Sequence, residues 1–389
     1  MSVKKISEAI LGVGVDDTTI DLFESQYPVP TGVSYNSYII LDEKTAVLDT
    51  VDARATEPWL ENLTEALAGR KPDYLVVSHM EPDHGANVAK LAALYPEMQV
   101  VGNAKTFLYM EQFFGADAIA KERRVVVKDG ESLSLGAHTL TFVFAPMVHW
   151  PEVMVSYEST EKVLFSADGF GKFGAFDVDE DWDCEARRYY FNIVGKYGMQ
   201  VQTLLKKVAG LEIQLICPLH GPVLKETIGH VLEKYQIWSS YGVESEGVFI
   251  AYASLHGNTE DAAKKCKEIL EKKGCPKVAI ADLARGDMAE ALEDAFRYGK
   301  IVLAAPSYDA GVMPVMADFL HHLQSKNYQK RTVALIENGS WAPSAARTMK
   351  GMLDAMKEIT VVEPVVTVRG ALKESDIPSL EQMAEALLA

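Results

Sequence analysis

The sequence is poor in cysteine, has no excess of basic residues and contains no long apolar run. Its 389 residues include only 4 cysteines, and no two of them form a C-x-x-C pair, which excludes a disulfide scaffold and a zinc knot. With 38 Lys and Arg against 55 Asp and Glu, the formal charge of -17 argues against nucleic acid and anionic membranes as partners. No segment approaches the roughly 20 apolar residues of a membrane-spanning helix, and the apolar run near the start is too short for a signal peptide. We therefore predict a soluble, cytoplasmic protein.

The pattern of apolar residues divides the chain near residue 245. Hydrophobic residues make up 48% of the chain, which is typical of folded domains, and 389 residues suffice for two or three of them. In the first part, 33–41 and 44–50 are predicted to form a hairpin around Asp42 and Glu43. Further strands are predicted at 139–146, 153–157 and 162–168, and helices at 54–68, 86–95, 104–115, 183–209 and 225–239.

The second part alternates strands and helices regularly. Strands are predicted at 248–254, 277–283, 300–306, 331–338 and 360–368, and helices from Thr259 and at 287–297, 314–325, 343–357 and 375–388. Such alternation predicts a parallel, doubly wound sheet of strand order 2-1-3-4-5. The stretch 243–248, which carries charge and glycine, is the predicted linker, so the predicted domains span 1–245 and 246–389.

The segment 73–87 carries the clearest sign of chemistry. The apolar strand YLVVS ends in His79, Glu81, Asp83 and His84 ahead of a helix, where open sheets present their reactive groups. Because alternate residues of an extended loop point the same way, we expect His79, Glu81 and Asp83 to converge, with His84 turned to a neighbouring direction. Each residue alone is typical of a solvated loop, but four potential ligands in the span 79–84 indicate a metal site.

Three more candidate ligands follow apolar strands elsewhere in the first part. They are His149 in APMVHWPEVM, Asp168 in FSADGF and His220 in CPLHGP. The combined set of four His, two Asp and one Glu suits two metal ions, each with two His and one carboxylate, that share the remaining carboxylate. Such a pair of ions would lie ~3.5–4 Å apart.

This arrangement resembles the metallo-β-lactamase fold, a four-layer αββα sandwich, and its H-x-[HE]-x-D-H signature. Hydrolytic members of that fold usually carry a second His at the position of Glu81. A carboxylate there makes the site harder and more anionic, which suits iron better than an all-nitrogen zinc pocket does. Glu81 therefore favours redox chemistry over hydrolysis.

A polar loop, SLHGNT (254–259), opens the first helix of the second part. Backbone N–H groups at a helix start, aided by hydroxyls, bind phosphate without a cation. A nucleoside triphosphatase would instead show G-x-x-x-x-G-K-[ST], but this loop has no lysine, and Glu260 and Asp261 would oppose a highly charged ligand. The loop therefore suits a monophosphate, although helix capping alone would also explain its Ser, Asn and Thr.

Two further loops strengthen the prediction of a ligand site. In a sheet ordered 2-1-3-4-5, the loops after strands 1, 3 and 4 meet at one crevice. We expect Tyr308 and Trp341 to offer aromatic faces to an isoalloxazine ring, the alternative being that they only cover the sheet edge. The whole of 248–389 resembles flavodoxin, with FMN as its ligand. The predicted FMN contacts are Ser254, Leu255, His256, Gly257, Asn258, Thr259, Pro306, Ser307, Tyr308, Asp309, Ala310, Gly311, Asn338, Gly339, Ser340, Trp341 and Ala342.

A metallo-β-lactamase-like domain followed directly by a flavodoxin-like domain resembles the flavodiiron proteins, also called A-type flavoproteins, over essentially the whole chain. The resemblance implies reduction of dioxygen to water, of nitric oxide to nitrous oxide, or of both, with FMN passing electrons to two irons. The ligand set that it implies is His79, Glu81 and His149 on one iron, Asp83, His84 and His220 on the other, and Asp168 as the bridge.

The same resemblance implies partners. A domain of about 245 residues is roughly 45 Å across, which is a long gap for electron transfer. The family spans this gap with a head-to-tail homodimer, or with a dimer of such dimers. Because the chain ends at Ala389 directly after its last predicted helix, we expect an external electron donor, such as rubredoxin or a reduced deazaflavin coenzyme.

Two other functions stay open at this point. The first is a dizinc hydrolase of thioesters or phosphodiesters with an appended flavodoxin-like domain that does not use flavin in turnover. The second is an electron-carrying flavoprotein whose metal site is vestigial or sensory. Glu81 argues against the hydrolase, and the complete set of ligands argues against the carrier.

Overall fold

The computed structural model describes residues 2–176, 178 and 181–389. The chain divides into two compact units, which are described separately. The first unit comprises Met1–Tyr190 and Met199–Gln236, and the second comprises Phe191–Gly198 and Ile237–Ala389. Within the described part of the chain, no helix is both long enough and apolar enough to cross a membrane.

The first part of the chain forms short strands with helices between them. The strands are β1 (Lys4–Lys5), β2 (Ile10–Gly12), β3 (Val15–Asp17), β4 (Leu22–Phe23), β5 (Tyr27–Pro28), β6 (Val33–Tyr35), β7 (Tyr38–Ile40), β8 (Ala46–Leu48), β9 (Tyr74–Val76), β10 (Gln99–Gly102), β11 (Arg124–Val126), β12 (Ser132–Ser134), β13 (Thr139–Phe144), β14 (Met154–Glu158), β15 (Val163–Phe165) and β16 (Leu215–Cys217). The helices are α1 (Thr56–Leu67), α2 (Pro82–Gly85), α3 (Val88–Leu94), α4 (Ala104–Phe114), α5 (Trp182–Tyr189), α6 (Gly198–Val208) and α7 (Ile228–Ser239).

Two sheets form the centre of the first unit. One sheet has the order β1-β2-β7-β8-β9-β10-β11 and the other has the order β12-β13-β14-β15-β16. Tyr38 and Val76 of the first sheet share one buried apolar cluster with Phe142 and Met154 of the second, so the two sheets pack face to face. This packing brings the carboxyl ends of strands from both sheets to a common region.

Two predictions for this part need correction. The hairpin is made by β7 and β8 alone, because Val33–Tyr35 pairs instead with Val15–Asp17. The predicted continuous helix over 183–209 is interrupted by a π segment at Tyr190–Val194 and a 3₁₀ turn at Gly195–Tyr197. Glycine is a poor helix former, and Gly195 and Gly198 stand where the α-helical hydrogen bonding breaks.

The second unit contains one sheet, in which all strands are parallel except the short β20, which pairs antiparallel with β19. Its strands are β17 (Ser245–Tyr252), β18 (Val278–Asp282), β19 (Tyr298–Tyr308), β20 (Gly311–Val312), β21 (Gln329–Asn338), β22 (Lys357–Val361) and β23 (Val366–Val368), and its helices are α8 (Asn258–Lys272), α9 (Met288–Arg297), α10 (Pro314–Ser325), α11 (Ala345–Leu353) and α12 (Ile377–Leu388). The order β18-β17-β19-β21-β22 is the predicted 2-1-3-4-5. Buried residues of α8 and α12, among them Ala263 and Met383, pack on Ile250 and Val302 of the sheet.

Here too the structure differs from two predictions. Residues 245–247 of the predicted linker belong to β17, and a register shift between Ser245 and Val248 accommodates them in the sheet. The predicted strand 360–368 consists of two segments, β22 and β23, which both pair with β21. Pro364 lies between the two segments and has no N–H to donate to a ladder, so pairing stops there.

The strand that leads into the 79–84 loop provides a test of the core. Leu75 of β9 is fully buried, at 0% exposure, whereas Leu94 at the end of α3 is 53% exposed. We expect Leu75→Ala to lower the free energy of unfolding by about 2–5 kcal/mol through lost burial and a residual cavity. The matched substitution Leu94→Ala should change it by less than about 0.5 kcal/mol. Equal effects of the two substitutions in urea denaturation would contradict this packing.

Candidate metal centre and ligand pocket

The 79–84 segment joins β9 to two successive short helices. Pro82 occupies the first turn of α2, where its missing N–H costs nothing, and α2 ends at Gly85. This helical turn carries Asp83 to the same side as His84. The expectation that Asp83 converges with His79 and Glu81 was therefore wrong, because it assumed an extended loop.

The first cluster contains four of the predicted ligands. His79, Glu81, His149 and Asp168 each direct one nitrogen or oxygen to a common region, and these atoms lie within 4.8 Å of one another. Glu81 Oε2 is 2.8 Å from His149 Nε2 and 3.2 Å from His79 Nε2. Asp168 Oδ2 lies 3.2 Å from His79 Nε2. The residues come from loops that follow β9, β13 and β15.

The second cluster lies beside the first and contains the other three ligands. Ligand atoms of Asp83, His84 and His220 also lie within 4.8 Å of one another. His84 Nε2 is 3.0 Å from His220 Nε2, and Asp83 Oδ2 is 3.2 Å from His220 Nε2. Asp168 Oδ1 lies 3.3 Å from His84 Nε2, so the two oxygens of this one carboxylate face different clusters. Every candidate ligand that we predicted from the sequence is thus brought to one place.

The residues present fit a pair of metal ions. Both carboxylate oxygens of Asp83 and of Asp168 are buried and have no hydrogen-bond partner among the residues that the structure describes. Buried polar groups without partners are costly unless a ligand satisfies them. His84 Nε2 and His220 Nε2, which are 3.0 Å apart, likewise point to a common position, which a cation would occupy favourably. Each cluster supplies two His and its own carboxylate, and Asp168 is shared.

Two groups that the sequence analysis missed hold the ligands from behind. Glu152 Oε1 lies 2.7 Å from His79 Nδ1, and the backbone carbonyl of Ser34 lies 2.7 Å from His220 Nδ1. Such contacts fix the imidazole so that Nε2 is left for a metal. A signal for Glu152 was present, since it is a lone acidic residue at the start of the buried run VMVS, three residues after His149. The Ser34 carbonyl has no signal in the sequence, because any residue offers one.

Electrostatics tie the ligands together. Burial alone would raise the pKa of Glu81 and of Asp168, but the neighbouring imidazoles outweigh it and lower the pKa of both carboxyl groups. Burial opposes protonation of His84, yet the charges of Asp83 and Asp168 raise the pKa of this imidazole to about 9. Protons therefore take the place of cations when no metal is bound, and metal binding must displace them.

Other histidines lie outside both clusters. His138 Nδ1 is 2.9 Å from Asp42 Oδ2, and His230 pairs with Asp183 on the surface. Neither belongs to the two groups of converging ligands. Neighbouring carboxylates account for both side chains without a metal.

A second site lies at the carboxyl edge of the sheet in the other unit. A cavity of about 450 Å³ is lined by the loops after β17, β19 and β21, with Ser344 and Gly370 in addition. Of the predicted contacts, Gly257 and Gly311 do not line it. The lining residues are Ser254, Leu255, His256, Asn258, Thr259, Pro306, Ser307, Tyr308, Asp309, Ala310, Asn338, Gly339, Ser340, Trp341, Ala342, Ser344 and Gly370.

The cavity joins a helix start to exposed aromatic side chains. Gly257 has a φ of 89°, a conformation that favours glycine, and its N–H donates to Ser254 Oγ at 3.1 Å, which sets the loop ahead of α8. No Lys or Arg is among the lining residues. Tyr308 is 43% exposed and Trp341 is 84% exposed, so both rings present free faces. The cavity therefore suits a ligand with a modestly charged phosphate and a planar aromatic system.

Ser344 and Gly370 were missed because their contributions depend on tertiary contacts. Ser307 Oγ accepts a hydrogen bond from Ser344 N at 2.8 Å, which joins the end of β19 to the loop after β21. Asn338 Nδ2 donates to the Gly370 carbonyl at 2.8 Å. Gly370 follows β23, whose existence as a separate strand the sequence did not predict.

Comparison with known proteins finds relatives that match almost the whole chain. Residues 33–221 match the family described as ODP family beta lactamase. The chain is 28% identical to rubredoxin-oxygen oxidoreductase of Megalodesulfovibrio gigas, with 100% of this chain and 98% of the relative covered. It is 27% identical to nitric oxide reductase of Moorella thermoacetica, with 99% and 98% covered. The solved structure of rubredoxin oxygen:oxidoreductase from Desulfovibrio gigas matches with a TM-score of 0.92 at 27% identity, covering 99% of this chain and 98% of that one. The chain is thus similar to flavodiiron proteins over almost its whole length.

The architecture of this chain also occurs in a solved flavodiiron protein. The flavodiiron protein from Giardia intestinalis, at 22% identity and a TM-score of 0.90, shares the same fold over 99% of this chain. The prediction of an αββα metallo-β-lactamase-like sandwich followed by a flavodoxin-like sheet is confirmed. The family resemblance inferred from the 79–84 motif and the later loops is confirmed as well.

The metal-free protein provides a test of the raised pKa of His84. Because the pKa of His84 is raised from 6.5 to about 9, its contribution to stability is fully present below 6.5 and is lost as the pH rises through about 9. We therefore expect the free energy of unfolding of chelator-treated protein to fall between about pH 6 and about pH 10 in urea denaturation. His84→Asn should flatten this decline. A rise in stability over the same range would contradict the assignment.

Proposed function

We propose that the chain is an oxidoreductase that reduces dioxygen to water, nitric oxide to nitrous oxide, or both, at a non-haem diiron site supplied with electrons through FMN. The observation that carries the proposal is the convergence of six buried or half-buried ligands, Glu81 among them, around a seventh, Asp168. Relatives that match almost the whole chain are named nitric oxide reductase and rubredoxin-oxygen oxidoreductase. These names are those of oxidoreductases that act on the two gases.

The iron ligands follow from the two clusters. One iron would be held by His79, Glu81 and His149, and the other by the second cluster. Asp168 would be a ligand of both irons. The iron pair would supply one-electron redox chemistry and positions at which a diatomic gas binds. The chain itself contributes a hard, carboxylate-rich ligand set, since Glu81 replaces the imidazole usual in zinc hydrolases. The members of the second cluster are Asp83, His84 and His220.

The FMN site follows from the cavity of the second unit. FMN would supply the conversion between electron pairs and single electrons. The start of α8, with Ser254 and Thr259, would bind the phosphate through N–H and hydroxyl groups. Tyr308 and Trp341 would flank the ring system, and backbone groups of the loop 338–342 would bind its polar edge. The absence of Lys and Arg from this lining fits a monophosphate better than a triphosphate.

Several finer points belong to the same proposal. The electron donor would be a separate protein such as rubredoxin, a name that occurs among the relatives, or a reduced deazaflavin coenzyme. We propose a head-to-tail homodimer, or a dimer of dimers, in the cytoplasm, and no nucleic acid or membrane partner for a chain of charge -17. The metal-binding domain would span 1–245 and the FMN-binding domain 246–389.

A dizinc hydrolase is the second candidate function, because the first unit has the fold of the metallo-β-lactamases. Anaerobic purification followed by metal and flavin quantification separates the two candidates. Two irons and one FMN per chain are expected. Zinc in place of iron, together with hydrolysis of a test thioester or phosphodiester, would contradict the oxidoreductase.

We expect His79→Asn to abolish gas consumption. The substitution removes a ligand of the first cluster, and since even the loss of a residue behind a ligand costs about 10–100-fold, the rate should fall by roughly 100-fold or more. Consumption of dioxygen and of nitric oxide is measured with electrodes, using chemically reduced rubredoxin as donor. His230→Asn, on the exposed part of α7, is the matched control and should leave both rates unchanged. Unchanged rates in His79→Asn would favour an electron carrier over a reductase.

We expect Trp341→Ala to weaken flavin binding. Loss of one aromatic face is worth about 0.5–1.5 kcal/mol, which corresponds to an increase in the FMN dissociation constant of up to roughly tenfold. The constant is measured by fluorescence quenching on adding FMN to flavin-free protein. Phe113→Ala, at an exposed position on α4, serves as the control and should not change it. Equal constants for wild type and Trp341→Ala would place the ring system elsewhere.

A further inference from the structure

Glu152 is a carboxylate enclosed directly behind one of the candidate metal ligands. It is 0% exposed, and its Oε1 accepts hydrogen bonds from His79 Nδ1 at 2.7 Å and from Met80 N at 2.9 Å. Its Oε2 is buried and has no hydrogen-bond partner in the part of the chain that the structure describes. The side chain therefore does more than satisfy two N–H donors, since it also places a buried carboxylate, with one oxygen left for further interaction, directly behind the metal site.

The two halves of the metal centre differ in the group that contacts the second nitrogen of their imidazole ligands. We call His79, Glu81 and His149 the first sub-site, and Asp83, His84 and His220 the second sub-site. In the second, His220 Nδ1 donates to the neutral carbonyl of Ser34 at 2.7 Å. His84 Nδ1 has no hydrogen-bond partner among the described residues. Buried Asp49 interacts electrostatically with His84 but accepts from backbone N–H groups. Among the described residues, only the first sub-site has a carboxylate hydrogen-bonded to the second nitrogen of a ligand imidazole.

This difference has a known physical consequence. An imidazole that donates its second N–H to a carboxylate becomes a more basic and better oriented ligand than one that donates to a carbonyl. Glu152 supplies a carboxylate bonded directly to a ligand imidazole, which the second sub-site lacks among the described residues. A cation in the first sub-site would relieve the cost of burying this carboxylate.

We infer that Glu152 is a positioning residue that makes the first sub-site bind a divalent metal ion more tightly than the second, so that the two sub-sites fill in order. The inference rests on the proposed function, because it takes the two clusters to be metal sites. It attributes the difference in affinity between the two metal ions to a residue that is not itself a ligand.

Stepwise metal binding tests the inference without any assay of turnover. Metal-free wild type is titrated with Co²⁺ and followed by visible absorption and calorimetry, and two ions per chain with separate affinities are expected. Glu152→Gln keeps an oxygen that accepts both N–H groups but removes the charge. We expect it to weaken the tighter step by about 10–100-fold and to leave the weaker step within about twofold.

Two ligand variants assign the affected step to a sub-site. His220→Asn removes a ligand of the second sub-site, so the step that persists belongs to the first, and adding Glu152→Gln should weaken it. His149→Asn removes a ligand of the first sub-site, and adding Glu152→Gln should then leave the persisting step unchanged. The reverse pattern would overturn the inference.

Glu158→Gln is the matched control. Glu158 lies on β14, is 0% exposed and accepts N–H groups of Thr160 at 2.8 Å and Glu161 at 2.6 Å, but it contacts none of the ligands named above. This variant should bind both Co²⁺ ions as wild type does. If Glu152→Gln does not fold by circular dichroism, Glu152→Asp replaces it; this variant keeps the charge and should retain the order of filling.

The outcomes separate this inference from the proposed function. A wild-type protein that binds fewer than two Co²⁺ ions would contradict the dinuclear site itself. A wild type with two ions, combined with a Glu152→Gln variant whose two affinities are unchanged or equally weakened, would overturn only the role of Glu152. A Glu152→Asp variant that fills both sub-sites with equal affinity would overturn it as well.

Discussion

A single buried carboxylate with an imidazole on each side imposes the main constraint on the first unit. Asp168 Oδ2 lies 3.2 Å from His79 Nε2, and Oδ1 lies 3.3 Å from His84 Nε2. Such a group is unfavourable in an apolar interior unless positive charge compensates it, either as protons on the imidazoles or as cations between the ligands. The loops at the carboxyl ends of the strands must therefore hold both imidazoles at fixed positions around it.

The sandwich meets this requirement through loops from both of its sheets. β9 of one sheet leads to His79, and β13, β15 and β16 of the other lead to His149, Asp168 and His220. Because the two sheets share one buried apolar cluster, a shift of either sheet would misplace ligands and repack the core at once. Groups behind the ligands, a carboxylate on one side and a backbone carbonyl on the other, then give the two halves different electrostatic environments.

The second unit solves a different problem, which is to bind an anionic ligand in a chain of charge -17. Its cavity has no Lys or Arg in the lining and relies on the start of α8 and on polar loop residues. Backbone N–H groups at a helix start attract a phosphate without adding a charged side chain. The parallel order 2-1-3-4-5 places the loops after β17, β19 and β21 at one edge, so three distant segments of sequence form one cavity.

The sequence by itself determined which residue types follow each apolar strand, and this was enough to name the seven ligands, the strand order of the second unit and most residues of its cavity. Short apolar runs that end in polar residues are local signals, which can be read from the sequence whatever the order in which the strands pair. The expectation drawn from an extended loop, that Asp83 converges with His79, was wrong, because the helical turn at Pro82 carries Asp83 to His84, as the resemblance to the flavodiiron proteins had implied. Only the tertiary structure decided that Glu152, the Ser34 carbonyl and Gly370 belong to the two sites, since their roles arise from contacts between segments far apart in the chain. No local pattern encodes such a contact, for the partner that gives the residue its role lies elsewhere in the sequence.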